Sequence, residues 1–531
     1  MNRLHFVLLL LTIGLNGRLL AQKNIVPGKI DVPYPTLIHL AFEWYFEGDN
    51  NNNSSATIMF RENSAADWRE GMPLRRIEKG EYEGFQWKNR YSGSLFDLKP
   101  GTQYEIRLTI SDPDGGGVER TVEVATRKVP DPRINTEIID IEPGDYDTLV
   151  TKSGTPEKPV VYTCSSGGAK FQYVDLRYRK HVFIQGLNIE NLSTEGIGIG
   201  MDGAVDCSII GNNIHAVYGI VADIPGATNC YVSNNIITGT CKWALSSLGN
   251  DGENIGEGIQ LTGPGNVICY NRVSAFRDCI STMEGVRATD QVCVDIYNND
   301  ISQGVDDAIE ADFCASNCRI VRNRITDCCV GLSSQPSLGG PTYFIRNVMY
   351  NIVHSGFKLK RFSRGDVVLH NTLVKIGVGL GGNSKMDYAY FRNNLTFGGP
   401  TYGIIIPGGY DTGRPFAADI IEPGAHSDFD YDAVGVWGTK YAARIGKKRF
   451  GVVEKNGIER LDIGKTFSNV PLPEKPLNTT NTVPDLRPSH EAKVIDRAQI
   501  IPNINDRFTG AAPDIGAYEE GSDLPQYGPT L

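Results

Sequence analysis

Residues 319–325 read RIVRNRI (Arg319, Ile320, Val321, Arg322, Asn323, Arg324, Ile325), and variants of this phrase return along the chain. The pattern is a few β-forming residues, an Asn, any residue and an aliphatic one. Copies are SIIGNNI (208–214), YVSNNII (231–237), ICYNRV (268–273), DIYNNDI (295–301), YFIRNVM (343–349), VVLHNTL (367–373) and AYFRNNL (389–395). With Asn212, Asn234, Asn271, Asn299, Asn323, Asn347, Asn371 and Asn393 as markers, the spacings are 22, 37, 28, 24, 24, 24 and 22 residues. Three short strands and three turns consume about 22–24 residues. The spacing therefore predicts one solenoid coil per phrase. Asn tolerates left-handed backbone at a turn, and stacked Asn side chains can bond from coil to coil.

On these phrases the chain resembles the right-handed parallel β-helix proteins, the architecture of many exported polysaccharide lyases and some glycosidases. The span covered is 134–420, and 421–531 is expected to pack against it. Cys207, Cys230, Cys293 and Cys318 each open a strand before an Asn, so they are expected to stack as buried thiols. The pair in CASNC (314–318) lacks the paired spacing of a metal site.

Ahead of the repeats, residues 28–128 alternate apolar and polar residues in LAFEWYFEG, ATIMFRE and QYEIRLTIS, with turn-rich breaks between them. LKPGTQYEIRLTI (98–110) resembles the fibronectin type III signature at Leu98, Pro100, Thr102 and Tyr104. The expected fold class is thus all-β: a fibronectin type III-like β-sandwich followed by a right-handed parallel β-helix. Residues 1–21 combine Arg3, an apolar run and a small-residue cut after Ala21, which reads as a signal peptide. Export to the periplasm or medium, without membrane insertion, is the expectation. A net charge of -10 gives no support to nucleic-acid binding.

A second phrase recurs between the Asn positions, in EGIQLTG (257), DCISTME (278), DAIEADF (307), VGLSSQP (330) and SGFKLKR (355). Strand alternation turns these copies into outward columns. Glu257, Gln260 and Thr262 are followed by Asp278, Ser281 and Met283, then by Asp307, Glu310 and Asp312, while Asp306 sits at the turn and is expected to meet solvent. Two coils further on, at about 4.8 Å per coil, stand Lys358 and Lys360, with Arg361 and Arg364 next.

Carboxylates so crowded need a cation, a shared proton or solvent. The arrangement is similar to that of the chondroitinase B and alginate lyase type of β-helix enzyme. That resemblance implies Ca²⁺ on Asp307, Glu310 and Asp312, neutralising a uronate whose α-proton is removed by Lys358 or Lys360 beside Arg361. The implied reaction is elimination on an acidic poly- or oligosaccharide, sulfated or not, as a lyase or dehydratase. His354 and Tyr343 are candidate proton donors near the lysines. Trp243, in the long 239–258 insert, is a candidate sugar-stacking ring, with Glu257, Asp278, Arg346 and His370 as further substrate contacts.

A second resemblance competes. VDDAIE is similar to the paired-aspartate motif of the polygalacturonases, hydrolases that use grouped aspartates, here completed by Asp278, to protonate a leaving group and activate water. The third reading is a glycan-binding β-helix with an inert acidic face. Arg322, Arg346, His370 and Arg392, one per coil, either bind anionic groups or pair with nearby carboxylates.

Overall fold

Short extended phrases separated by tight turns stack here into a single parallel ladder. The computed structural model describes residues 22–283, 285, 290–398, 404–412, 416–436, 441–470, 477 and 482–530; the expected signal segment, 1–21, lies outside them. The ladder is a right-handed parallel β-solenoid of about 12 turns, with strands from Glu137–Asp140 to Ile458–Leu461. It runs past residue 420, where the visible repeat fades. Among the described residues no helix is long and apolar enough to cross a membrane.

The Asn rungs explain the repeat. Asn347 donates its backbone N–H and its Nδ2 to Oδ1 of Asn371, both at 3.0 Å. Nδ2 also reaches the carbonyl of Ile320 at 2.9 Å. The Asn347 Oδ1 in turn accepts both donors of Asn323. The same pattern links Asn212, Asn235, Asn271, Asn299, Asn323, Asn347, Asn371 and Asn394, all fully buried.

Two markers were therefore off by one: Asn234 and Asn393 are not rungs. They are the left-handed residues just before the rung, with φ of 59° and 62°. That position is filled elsewhere by Tyr270, Asn298, Arg322, Arg346 and His370, so the rung Asn is selected for its amide, not for turn geometry. The Asn ladder passes to Asp432, whose Oδ1 accepts from N and Nδ2 of Asn394 at 2.7 and 2.8 Å. Asp432 passes the pattern on through its backbone N–H, which donates to Glu454 Oε2 at 2.9 Å, so the amide ladder closes on two carboxyls. The switch to Asp, 38 residues on, hid this coil from the sequence pattern.

Replacing a middle rung strands several buried polar groups at once. Asn347→Ala should lower unfolding stability by about 3 kcal/mol or more, at about 1–3 kcal/mol per orphaned group. The urea midpoint of the variant reads this directly.

The thiol expectation holds in part. Cys207, Cys230 and Cys293 are buried and free, whereas Cys318 forms a disulfide with Cys314. Four residues apart across one bend, these two sulfurs pair with each other instead of continuing a stack.

The N-terminal sandwich is built from two four-stranded antiparallel sheets. One holds Ile25–Asp31, Leu40–Gly48, Arg90–Leu95 and Arg75–Ile77; the other holds Val118–Ala125, Gln103–Ser111, Ser55–Glu62 and Arg69–Glu70. Trp44, Phe42, Phe60, Tyr104 and Ile106 fill the space between them. The sandwich then seats Leu37, Met72 and Phe96 on one solenoid face, against Val267, Tyr297, Val321, Tyr343 and Val367.

A fully buried ionic knot joins the two parts. Asp295 accepts from Arg319 Nε at 2.5 Å and lies 2.8 Å from His39 Nδ1. Burial pushes the Asp295 carboxyl up, but Arg319 and His39 outweigh it and hold it at about 2. On a second face the C-terminal residues Phe467, Leu486, Val494, Ile515 and Tyr518 pack on Val348, Val374, Leu395 and Phe397. Neither of these apolar seams contains a residue of the third face, which carries the acidic columns.

Candidate active site

The third face is the stack Glu257–Leu261, Asp278–Ser281 and Asp307–Glu310, continued by the later parts, 330–334 and 355–359, of the long strands Arg324–Ser334 and Val348–Leu359, whose earlier parts turn onto the second face. Its register agrees with the columns read from the sequence: Gln260 pairs with Ser281, Ser281 with Glu310, Glu310 with Ser333 and Ser333 with Lys358. Lys358 therefore lies two coils from Glu310. Its stem crosses the small Ser333, and its ammonium is bound to Asp307 Oδ2 and stands 3.8 Å from Glu310 Oε1.

Asp306 departs from expectation. At a turn it would meet solvent; instead it is buried, and it offers an oxygen within 4.8 Å of oxygens of Asp278 and Asp307. The backbone N–H of Asp307 donates to Asp278 Oδ1 at 2.7 Å, which locks these two coils together. Arg277 closes the group on one side, its Nε 3.6 Å from Asp278 Oδ2 and 3.9 Å from Asp306 Oδ2. The long insert holds that guanidinium through Asn250 Oδ1 at 2.8 Å. Arg277 escaped the sequence reading, although it directly precedes the outward Asp278.

Six carboxyls, Glu257, Asp278, Asp306, Asp307, Glu310 and Asp312, thus face Arg277, Lys358 and Lys360. Charge this crowded and this dry favours protons on some of the acids. Burial pushes Glu257 up to about 7, moderated by the hydrogen bond from Ser281 Oγ at 2.9 Å. Burial and the neighbouring Asp307 raise Asp306 to about 6. Asp278 and Glu310 are pushed well above the carboxylate range by burial and by the acids around them. For Lys358, burial opposes the charge, yet Asp307 and Glu310 outweigh it and hold the ammonium firmly protonated. Lys360 moves the other way, lowered by burial and by Lys358.

Exposure separates reacting groups from supporting ones. The Asp307 side chain is 0% exposed and that of Asp278 3%, whereas Glu310 and Asp306 reach 12% and 10%. A substrate can touch only the second pair.

The other expected site residues divide as follows. Asp312 is a structural anchor: its Oδ1 accepts from Ser333 Oγ and the Gln335 N–H, each at 2.8 Å. Lys358 occupies the space between Asp307 and Glu310. The set Asp307, Glu310 and Asp312 therefore does not fit Ca²⁺, because an ammonium fills the cation position and the third ligand is already engaged. Activity should survive EDTA unchanged; a loss restored by added Ca²⁺ would instead assign a cation to Asp278, Asp306 and Asp307.

Tyr343 is not beside the lysines. It lies on the sandwich-covered face, where its hydroxyl accepts from the Ser94 N–H at 3.1 Å, because outward side chains of that strand meet the sandwich. Arg346 and His370 lie under the C-terminal segment. Arg346 donates to the Ala517 carbonyl at 3.2 Å, and His370 Nδ1 is 3.0 Å from the Gly516 carbonyl. Burial, reinforced by Arg346, lowers His370 to about 3, so it stays neutral. Arg322 pairs with Asp97 and Arg392 with Asp428, so this stripe clamps the molecule to itself. Trp243 packs beside Leu248 and Ile404 at one edge of the face, and His354 meets Tyr410 edge-on there.

Comparison with known proteins adds little to this geometry. No protein-family model matches the chain. No curated protein matches it either. Among solved structures it is similar to the tailspike protein gp49 from Pseudomonas phage LKA1, at 11% identity and a TM-score of 0.17. That match covers 80% of this chain, which spans 62% of the tailspike's length.

Proposed function

We propose that the protein is an exported glycan-degrading enzyme that hydrolyses a glycosidic bond on the third face of its solenoid. The observation that carries this reading is the pair of carboxyls that keep a little exposure, Glu310 and Asp306, above the buried Asp278 and Asp307 and beside the similarly exposed Lys358 ammonium. Glu310, pushed well above its ordinary value by burial and by Asp278 and Asp312, holds its proton tightly and is suited to protonate the leaving oxygen. Asp306, at about 6, is ionised there and is suited to take a proton from water. Acid–base glycoside cleavage requires two carboxyls whose surroundings set their proton affinities apart. Asp278, Asp307 and Lys358 act as positioning residues that set those states. The sandwich, read as fibronectin type III-like, has its Tyr104 hydroxyl accepting from the upstream Lys99 N–H at 2.9 Å, as a tyrosine corner does.

Elimination on a uronate is the second reading, and one observation favours it: Lys360 is depressed toward the range of a base. Lys358, bound to Asp307, is not available for that role. The two chemistries separate on one digest of a glycan panel. Hydrolysis gives new reducing ends without ultraviolet absorbance near ~230 nm, whereas elimination gives a conjugated product that absorbs there. Reducing ends accompanied by that absorbance, abolished in Lys360→Ala, would replace the first reading with the second.

A further inference from the structure

The sandwich reaches the third face at one point only among its described strands, the hairpin formed by Gly80–Tyr82 and Phe85–Trp87. This hairpin is fixed in place. Trp87 Nε1 donates to the Glu78 carbonyl at 2.8 Å. Its indole lies so close to Gly80 and Gly339 that a Cβ at either would come within 2.7 and 3.0 Å of it. Phe85 packs against Phe313, ring centroids 5.8 Å apart, and Tyr82 against Phe362 at 6.2 Å. Phe313 directly follows Asp312, so these aromatic contacts border the acidic floor.

The solenoid side of the same rim is cationic. Arg361 and Phe362, two successive non-glycine residues, both hold left-handed backbone, with φ of 52° and 56°. Such conformations cost free energy and persist where packing over-determines them. Lys385 Nζ lies 4.5 Å from the Phe362 ring, and Arg364 lies 5.5 Å from it and 5.2 Å from Tyr388. Nearby acids are partly engaged elsewhere: Glu78 accepts from Asn52 at 2.6 Å, and Asp387 lies 3.2 Å from His426. The floor is crowded with acids, whereas the rim gathers Arg361, Arg364 and Lys385 around the Phe313 and Phe362 rings, with Glu83 beside Tyr82 and Glu78 beside Tyr388 as partial counter-charges. Flat rings beside cations suit a sugar ring that carries negative charge.

We propose that Tyr82 of the sandwich and Phe362, Arg364 and Lys385 of the solenoid form a subsite for an anionic sugar ring, so that recognition of the glycan is shared between the two parts of the chain. This deepens the hydrolase reading by naming an acidic glycan as the substrate class. The anionic group is a carboxylate or a sulfate ester, and the sugar ring lies against the outer edge of the touching Tyr82 and Phe362 rings.

The test uses the full chain carrying Glu310→Gln, which binds without turnover, titrated with oligogalacturonate, dextran sulfate and uncharged dextran. Binding of at least one charged polymer, absent for dextran and weakening with salt, is expected. Which charged polymer binds tells carboxylate from sulfate. Adding Arg364→Ala should weaken binding by about tenfold or more, and Tyr82→Ala by about two- to tenfold, with Tyr82→Phe restoring most of it. No charged polymer bound, or equal binding by the Tyr82→Ala and Arg364→Ala proteins at unchanged circular dichroism, overturns the subsite. If rim-dependent binding holds but the unmutated protein releases no reducing ends, the hydrolase reading fails and the subsite stands.

Discussion

Glu310→Gln is expected to lower kcat by about 10²–10⁴-fold with little change in KM, the range lost when a positioned general acid is removed. The amide keeps the size of the side chain and its position in the column between Ser281 and Ser333, but it has no carboxyl proton to deliver. Asp306→Asn should cost a similar factor by removing the base. The two variants differ in their pH profiles. With Asp306 at about 6, the unmutated enzyme gains activity as pH rises through 6, and Asp306→Asn loses that acid limb. Glu310→Gln loses the alkaline limb instead. Leaving-group rescue separates them further: a substrate with a good leaving group, such as a nitrophenyl glycoside, should recover much of the Glu310→Gln rate and little of the Asp306→Asn rate.

Lys358→Met should be the most destabilising single change on this face, by about 3–5 kcal/mol at neutral pH, because it leaves the buried Asp307 carboxylate without its cation. The effect depends on pH with a definite sign. In the unmutated protein, Glu257 and Asp306 titrate at about 7 and about 6 when folded, against ordinary values of 4.5 and 3.8. The folded state therefore holds these protons more tightly than the unfolded chain. That contribution is fully present below the ordinary values and is lost as pH rises through the folded ones. Lys358→Met steepens the loss, since the Lys358 charge holds Asp306 and Glu310 down and its removal lets both rise further. Urea unfolding at pH 5 and pH 7.5 should show the variant much closer to the unmutated protein at the lower pH. An equal deficit at both would mean that Lys358 contributes mainly by the packing of its stem.

How much of this was legible follows from what each position must do. The rungs are visible because a buried amide ladder demands donor and acceptor together at every coil, which only Asn or Gln supplies. In YVSNNII and AYFRNNL two Asn residues stand side by side, one for the left-handed turn and one for the ladder, and composition does not tell them apart. The columns on the third face were readable because strand alternation governs them, and Gln260, Ser281, Glu310, Ser333 and Lys358 do share a row.

Alternation lapses at turns, so it assigns Asp306 to solvent where the fold buries it, and assigns Asp312 to the site where it ties down a turn. Tyr343, Arg346 and His370 were misassigned for a different reason. They point outward from the coil, but onto faces that the sandwich and the C-terminal segment cover. A repeat shows which way a side chain points, not what will dock on it. Lys358 was recognised as important with the wrong role, because the chemistry of a lysine depends on how close the acids approach.

The most direct measurement is cleavage of a responsive acidic glycan in oxygen-18 water, with products read by mass spectrometry before anomeric exchange sets in. Hydrolysis by Glu310 and Asp306 predicts one heavy oxygen at each new reducing end, and its loss in Asp306→Asn. Products with no heavy oxygen and an unsaturated terminal sugar would contradict the account.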